Sequence, residues 1–538
     1  MLKNAPVVLF LGLCVPFAAA QNLVASSNPG PAIAGSAISG SAISGSAKSG
    51  PAAAVPAAGG AQTSPAAASA QAPAGHPLTF SVWERARNDN WQWFAAPPYN
   101  NSYSYLQSLL RISVSQRIDH WDWMGEVAQA WVGGVPNDAV SSVAAQGQLG
   151  LGGSYYASNG NNSEPVAAFF KQGFVRYSGE GDKSIRVGRF EFLEGVEMHP
   201  KDSTMLWLQN NRMQQRLIGN FGFSNAMRSF DGIEAHYGAG SWDLTGMAAR
   251  ATQGVFNMNG NPEINVDVQY VGFTRTAAHG RVIMRAFGIA YHDGRTGITK
   301  SDNRPAAVRA ADHKNIRLGT YGGDVIATQP AGPGTFDFVF WGAGQNGSWG
   351  ELSQSAGAAT FEGGYRFTRV PTTPWFRGGW WRTTGDHNAT DTKNNTFFQV
   401  LPTPRVYARL PFYNAMNSTD GFVQLIDKPY KAWELRSEAH WLDLTSGQDL
   451  WYSGGGAFDN KVFGFTGKPA SGHTSFASVL DVSSDWQATK NIAFNAYYGH
   501  GWGKSVVGAI YPTDKNIQLG YVELICRWGV TAGTVKTK

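Results

Sequence analysis

From residue 78 to residue 528 the chain keeps returning to one pattern, in which apolar and polar side chains alternate along short segments. In "LLRISVSQRI" (109–118), Leu110, Ile112 and Val114 share one face, while Arg111, Ser113 and Ser115 share the other. "LTFSVWERAR" (78–87) sets Leu78, Phe80 and Val82 against Thr79, Ser81, Arg85 and Arg87. "NIAFNAYYG" (491–499) and "ELRSEAHWLDL" (434–444) behave alike, the second placing Leu435, Ala439 and Trp441 opposite Arg436, Glu438 and His440. A period of two marks strands with one apolar and one polar face. The fold class is therefore all-β.

A soluble sandwich alternates too, so the solvent on each face needs separate evidence. Aromatic residues crowd the segment ends in "DHWDWMG" (119–125), "PWFRGGWWR" (374–382) and "DLWYSGG" (449–455), as in the interfacial girdles of membrane barrels. The apolar faces run uncharged for a strand length, with no helical pattern to cover them. The chain nearly finishes on "NIQLGYVELICRW" (516–528), a strand ending in an aromatic residue. Composition agrees, with 19 Trp, 19 Tyr, 30 Phe and 65 Gly but only 15% charged residues. After the first 20 residues no segment offers the ~18 apolar residues of a spanning helix. The roughly 460 residues after Pro77 would supply about 16–18 spanning strands with turns and outer loops. The expectation is a transmembrane antiparallel β-barrel of that size, wide enough for an aqueous channel.

The N-terminus, "MLKNAPVVLFLGLCVPFAAAQ", carries one Lys, an apolar run and Ala18-Ala19-Ala20, which reads as a secretory signal peptide over 1–20. Leu13 precedes Cys14 where a lipoprotein signal would have a small residue. Export would leave Cys526 alone, so no disulfide within the chain is expected. Residues 21–76 are Ala/Gly/Ser/Pro-rich, without aromatics, and are expected to be a disordered segment. The barrel is expected over 77–538, in the outer membrane of a Gram-negative cell. A net charge of +5 without a clustered basic footprint gives no reason to expect a nucleic-acid partner.

No motif argues for catalysis. "GHGWGKS" (499–505) ends like a phosphate-binding loop, but Tyr498 stands where that loop needs its first Gly, so a hairpin turn is expected. There is no His-Glu-x-x-His pair and no Gly-x-Ser-x-Gly elbow. The chain is read as a non-enzyme without cofactor or metal. Arginines on polar strand faces are the stronger signal: Arg85, Arg111, Arg186 and Arg436 would face the lumen, with acids such as Glu126, Asp231, Glu438 and Asp481 neutralising part of their charge. Such a wall serves either anion passage or structural ion pairing, since guanidinium groups bind both lumen and substrate carboxylates.

Several stretches resemble the alginate export family of outer-membrane barrels. They are "FFKQGFVRYSGEGDKSIRVGRFEFLEG" (169–195), "QRLIGNFGFSNAMRSFDGIEAHYG" (215–238), "YRFTRVPTTPWFRGGWWRTTGD" (365–386) leading into "NTFFQVLPTPRVYARLPFYN" (395–414), and "HWLDLTSGQDLWY" (440–452). The resemblance implies a single-chain barrel of about eighteen strands whose Arg- and acid-rich lumen passes an anionic polysaccharide. By position it carries over Arg186, Arg216, Arg228, Asp231 and Arg382 as lumen residues that meet substrate. Arg85, Arg111, Arg436 and Glu438 join them on alternation. A general or small-anion porin and a plugged structural or adhesive barrel are the alternative readings. The expected surroundings are outer-membrane lipid and anionic polysaccharide or small anionic solutes. A monomeric barrel is expected, with room for periplasmic export partners.

One stretch resists the simple pattern. In "SIRVGRFEFLEG" (184–195), Ile185 and Val187 should face lipid and Arg186 the lumen, which leaves Arg189 with lipid-side parity. Arg189 is therefore expected either to end the membrane band or to follow a bulge that reverses the phase. Phe190 and Phe192 would then form an inward aromatic pair.

Overall fold

In the computed structural model the described residues are 76–402, 409–453 and 467–532. The expectations for residues 1–75, a signal peptide and a disordered segment, lie outside them. The described chain is dominated by strands: β1 (Leu78–Gln92), β2 (Ser102–Ile118), β3 (Trp121–Gly133), β4 (Val166–Ser178), β5 (Asp182–Phe190), β6 (Phe230–Ala239) and β7 (Trp242–Thr252). There follow β8 (Glu263–Ala277), β9 (Val282–Asp293), β10 (Ile316–Ala331), β11 (Gly334–Trp349), β12 (Leu352–Arg366), β13 (Trp375–Thr383) and the two-residue β14 (Lys393–Asn394). The last are β15 (Ser418–Tyr430), β16 (Trp433–Leu444), the short pair β17 (Leu450–Tyr452) and β18 (Gly467–Pro469), β19 (Ser475–Gln487), β20 (Ile492–Gly503) and β21 (Asn516–Ala532).

Each long strand pairs antiparallel with the next, and β1 pairs with both β2 and β21, which closes the sheet. β14 only extends one edge of β12, and β17–β18 form a separate hairpin, so eighteen strands make the wall. Closure gives every wall strand a neighbour on both sides, the condition for strands to cross a bilayer. Residues 119–120, 179–181, 240–241 and 332–333 are tight turns at one rim, and most connections at the other rim are long. Outer-membrane barrels place short turns on the periplasmic side and long loops outside.

The alternation read from sequence sorts into an inner and an outer face. Ile112, Val127, Val187, Ile233, Val271, Phe338, Val423, Leu480 and Val522 are exposed on the outside, while Arg111, Glu126, Glu362, Arg377 and Asp485 are buried within. The girdle expectation needs partial correction. Trp121 and Trp380 do face outward, but Trp375 and Trp381 point into the barrel, and Trp451 and Tyr452 are buried in the β17–β18 hairpin. A dense aromatic cluster has no parity of its own, and here the strand's alternation divided it. "GHGWGKS" is also no hairpin turn: β20 passes into a short helix, Ser505–Ile510, inside the 504–515 connection.

β5 carries a backbone feature that only glycine suits. Gly188 has φ +129, and a Cβ there would lie 2.3 Å from the Gly173 carbonyl oxygen on β4. Gly188→Ala is expected to destabilise the folded barrel by ~1–3 kcal/mol through strain and a clash between backbones. Denaturant unfolding in lipid vesicles checks this, and an unchanged midpoint would contradict it.

Candidate functional site: the barrel lumen

Two inner segments make contact with the inner face of the wall. Residues 191–229, between β5 and β6, fold inward and include the helix Ser203–Leu208, whose Asp202 cap accepts from the backbone N–H groups of Thr204 and Met205. Residues 384–402 and 409–417, between β13 and β15, meet them: the Leu401 N–H donates to the Leu217 carbonyl at 2.7 Å, and the Gly219 N–H donates to the Leu401 carbonyl at 2.8 Å. Arg228 Nη1 donates to that same Leu401 carbonyl at 2.6 Å, and Gln399 Nε2 donates to the Arg216 carbonyl at 3.0 Å. The two segments therefore clasp each other within the barrel. Apolar side chains of the two segments, such as Leu208, Phe223, Phe398 and Phe412, are themselves buried.

Ion pairs tie this core to the wall on several sides. Arg111 Nη2 lies 2.6 Å from Glu126 and 3.0 Å from Glu191, and Lys171 reaches Glu191 at 3.3 Å. Burial alone would raise the Glu191 carboxyl, but Arg111 and Lys171 hold it below the usual carboxylate range. Arg285 on β9 bonds Glu194 and lies 2.6 Å from Asp324. Glu362 on β12 gathers three guanidinium groups: Arg212 at 2.8 Å, Arg377 at 3.1 Å and Arg216 at 3.4 Å. Arg377 also lies 3.0 Å from Asp337. Arg436 lies 3.0 Å from Glu434, which accepts from the Trp207 indole at 3.0 Å.

The nine expected site residues divide by position. Arg85 is buried on the inner face, donating to the Gly222 and Ser224 carbonyls at 2.6 Å each, with Glu523 at 3.6 Å. Arg111, Arg216, Arg228, Arg436 and Glu438 also lie inside and buried, and Arg186 lies inside and partly exposed, bonded to Glu234. Asp231 and Arg382 are corrections to the lumen expectation. Asp231 points outward on β6, where both its oxygens bond Arg189. Arg382 is exposed on the outer face of β13, because Trp381 and Thr383 beside it take the inner face. Motif position implies the lumen at both sites, and strand parity overrides it.

Arg189 is corrected as well. It keeps outward parity without a bulge and sits in an ion pair in the barrel wall. Phe190 and Phe192 do point inward and are buried. Sequence reasoning missed Arg377, Glu362, Arg285 and the loop carboxylates Glu191 and Glu194. Arg377 was within reach: counting back by twos from the inward Trp381 through "WFRGGWW" lands on it.

A metal-like arrangement also occurs. Glu438, His440 and Asp481 bring one ligand atom each within 4.8 Å of one another. His440 Nδ1 lies 2.7 Å from Asp420 and its Nε2 lies 3.3 Å from Glu438, so a histidine ring bridging two carboxylates accounts for the geometry.

A closed antiparallel barrel with an apolar exterior, a charged interior and loops folded into its lumen defines a porin-like outer-membrane protein. The chain belongs to the alginate export family, whose model matches residues 153–503. A comparison with curated proteins gives no match. Among solved structures the chain is similar to OpdK of Pseudomonas aeruginosa, solved with vanillate, at 6% identity and TM-score 0.51, covering 84% of this chain and 99% of that one. It is similar to OccAB3 of Acinetobacter baumannii at 8% identity and TM-score 0.52, again over 84% and 99%. OccAB2 of the same organism gives 7% and 0.52, over 84% and 98%. At such identities the likeness concerns the fold alone.

Proposed function

We propose that this outer-membrane barrel conducts an anionic polysaccharide or oligosaccharide without catalysis, and that the described arrangement is its closed form. The observation that carries the reading is the meeting of Arg212, Arg216 and Arg377 on the single carboxylate of Glu362, where the inner segment joins the wall. Guanidinium groups hold carboxylates in geometries a passing uronate can copy, so substrate acids exchange places with lumen acids along the wall. Selectivity then comes from rings of charge, as in other charged pores. Family membership supports the polysaccharide class.

A small-anion porin is the second reading, and it takes support from the similar structure solved with vanillate. Planar-bilayer recordings separate the two. The expected result is an anion-selective conductance that falls when polyuronate is added to one side. Conductance without block would favour the small-anion porin. Absence of any conductance would favour a plugged structural barrel.

A further inference from the structure

The barrel wall has a notch. β5 and β6 stop at Phe190 and Phe230, where they pair with each other, because the chain between them turns into the lumen. β4 does not stop there: from Gly173, opposite Arg189, it runs on through seven more residues to Val166. At ~3.3 Å per residue and a strand tilt of about 40°, that edge rises roughly 15 Å past the end of β5. Below the notch, Asp182 lies a similar distance down β5, so Arg189 sits about midway up the wall. The other inward segment leaves the wall differently. There β14 pairs with β12 and supplies a short backbone ladder beside the short β13. The upper part of β4 pairs with β3 on one side, and among the described strands none pairs with its other edge above Gly173.

Side chains close the notch instead. Arg189 Nε and Nη2 hold both oxygens of Asp231 at 2.6 Å, while Nη1 donates to the Phe170 carbonyl at 3.1 Å and Nη2 to the Asn261 carbonyl at 2.9 Å. Asn261 Oδ1 accepts from the Phe170 N–H at 2.8 Å. The result is an outward-opening cleft of about 760 Å³, apolar along Phe170, Val187 and Ile233, with Arg189, Asp231 and Asn261 as its polar groups. The outer wall at this height meets hydrocarbon, so the ligand enters sideways from the bilayer and must be largely an acyl chain.

We propose that this cleft binds a long-chain carboxylate from the membrane, its chain along the apolar lining and its head on the Arg189 guanidinium. Asp231 holds that place in the described state, and its bidentate geometry is the one a fatty-acid carboxylate reproduces. The site is independent of what the lumen conducts.

The test uses the full chain in phosphatidylcholine nanodiscs, with stearate and its methyl ester as probes and native mass spectrometry as the readout. Stearate adducts are expected on the unaltered protein and not with the methyl ester. Arg189→Gln should lose them. Asp231→Asn should strengthen stearate binding by about tenfold or more, because a competing charge-assisted partner is removed. A merely structural Arg–Asp pair would be weakened by either substitution and would favour no ligand. Heat-modified electrophoretic mobility shows which variants fold, and the Asp231→Asn arm decides alone if Arg189→Gln does not. Equal retention of the methyl ester, binding that survives Arg189→Gln, or no gain with Asp231→Asn would overturn the proposal.

Discussion

A chain in which residues 199–217 are replaced by a short Gly-Ser linker should conduct several times more current than the intact protein, with little loss of folding. The argument is geometric. An eighteen-stranded barrel leaves room for water unless something occupies it. Here that segment carries the helix Ser203–Leu208, and it brings Arg212 and Arg216 to Glu362 and the Trp207 indole to Glu434. Its removal orphans few charges. Glu362 keeps Arg377, and Glu434 keeps Arg436 and Lys428 at 3.0 Å each. The anchors Glu191, Glu194 and Arg228 lie outside the deletion, so the ties to β2, β4 and β9 persist. Single-channel recording measures the effect. Unchanged conductance would mean that residues 384–417, or another loop, set the narrowest point.

The wall was legible because its code is local. Ile112, Val187 and Leu435 announce a lipid face by parity alone, and Arg85, Arg111, Arg186, Arg436 and Glu438 follow onto the opposite face. At Asp231 and Arg382 motif position and parity disagree, and parity holds. The inner segments were not legible for a physical reason. Residues 191–229 have no period of their own: their Arg212, Arg216 and Glu194 meet partners on β12 and β9, far away in sequence. A salt bridge across such a distance leaves no spacing signal. The Arg189–Asp231 pair lay between these cases. Its outward parity was visible in sequence, but its partner emerged only from the register Arg189↔Asp231, set where both strands end early. A charge on the lipid face is costly enough that a compensating feature had to exist, and the notch is that feature.

Glu362→Gln should be the most destabilising single change in the lumen, at about 3–5 kcal/mol by equilibrium unfolding in lipid vesicles. That is the range for removing one partner from a buried ion pair and leaving its counter-charges uncompensated. Here the counter-charges are three, all buried, and Arg377 also lies 3.0 Å from Asp337. Arg377→Gln provides the comparison. It leaves Glu362 with Arg212 and Arg216, and leaves Asp337 accepting from the Trp375 indole at 2.7 Å, so its cost should be smaller. The two variants also move charge in opposite directions. Losing the carboxylate raises the net positive charge at the junction of loop and wall, and losing the guanidinium lowers it. If this junction borders the conducting path, reversal potentials should shift toward anions for Glu362→Gln and away from them for Arg377→Gln. Two shifts of the same sign would place the path elsewhere. If Arg377→Gln proved the costlier change, Asp337 rather than Glu362 would be the hub of the network.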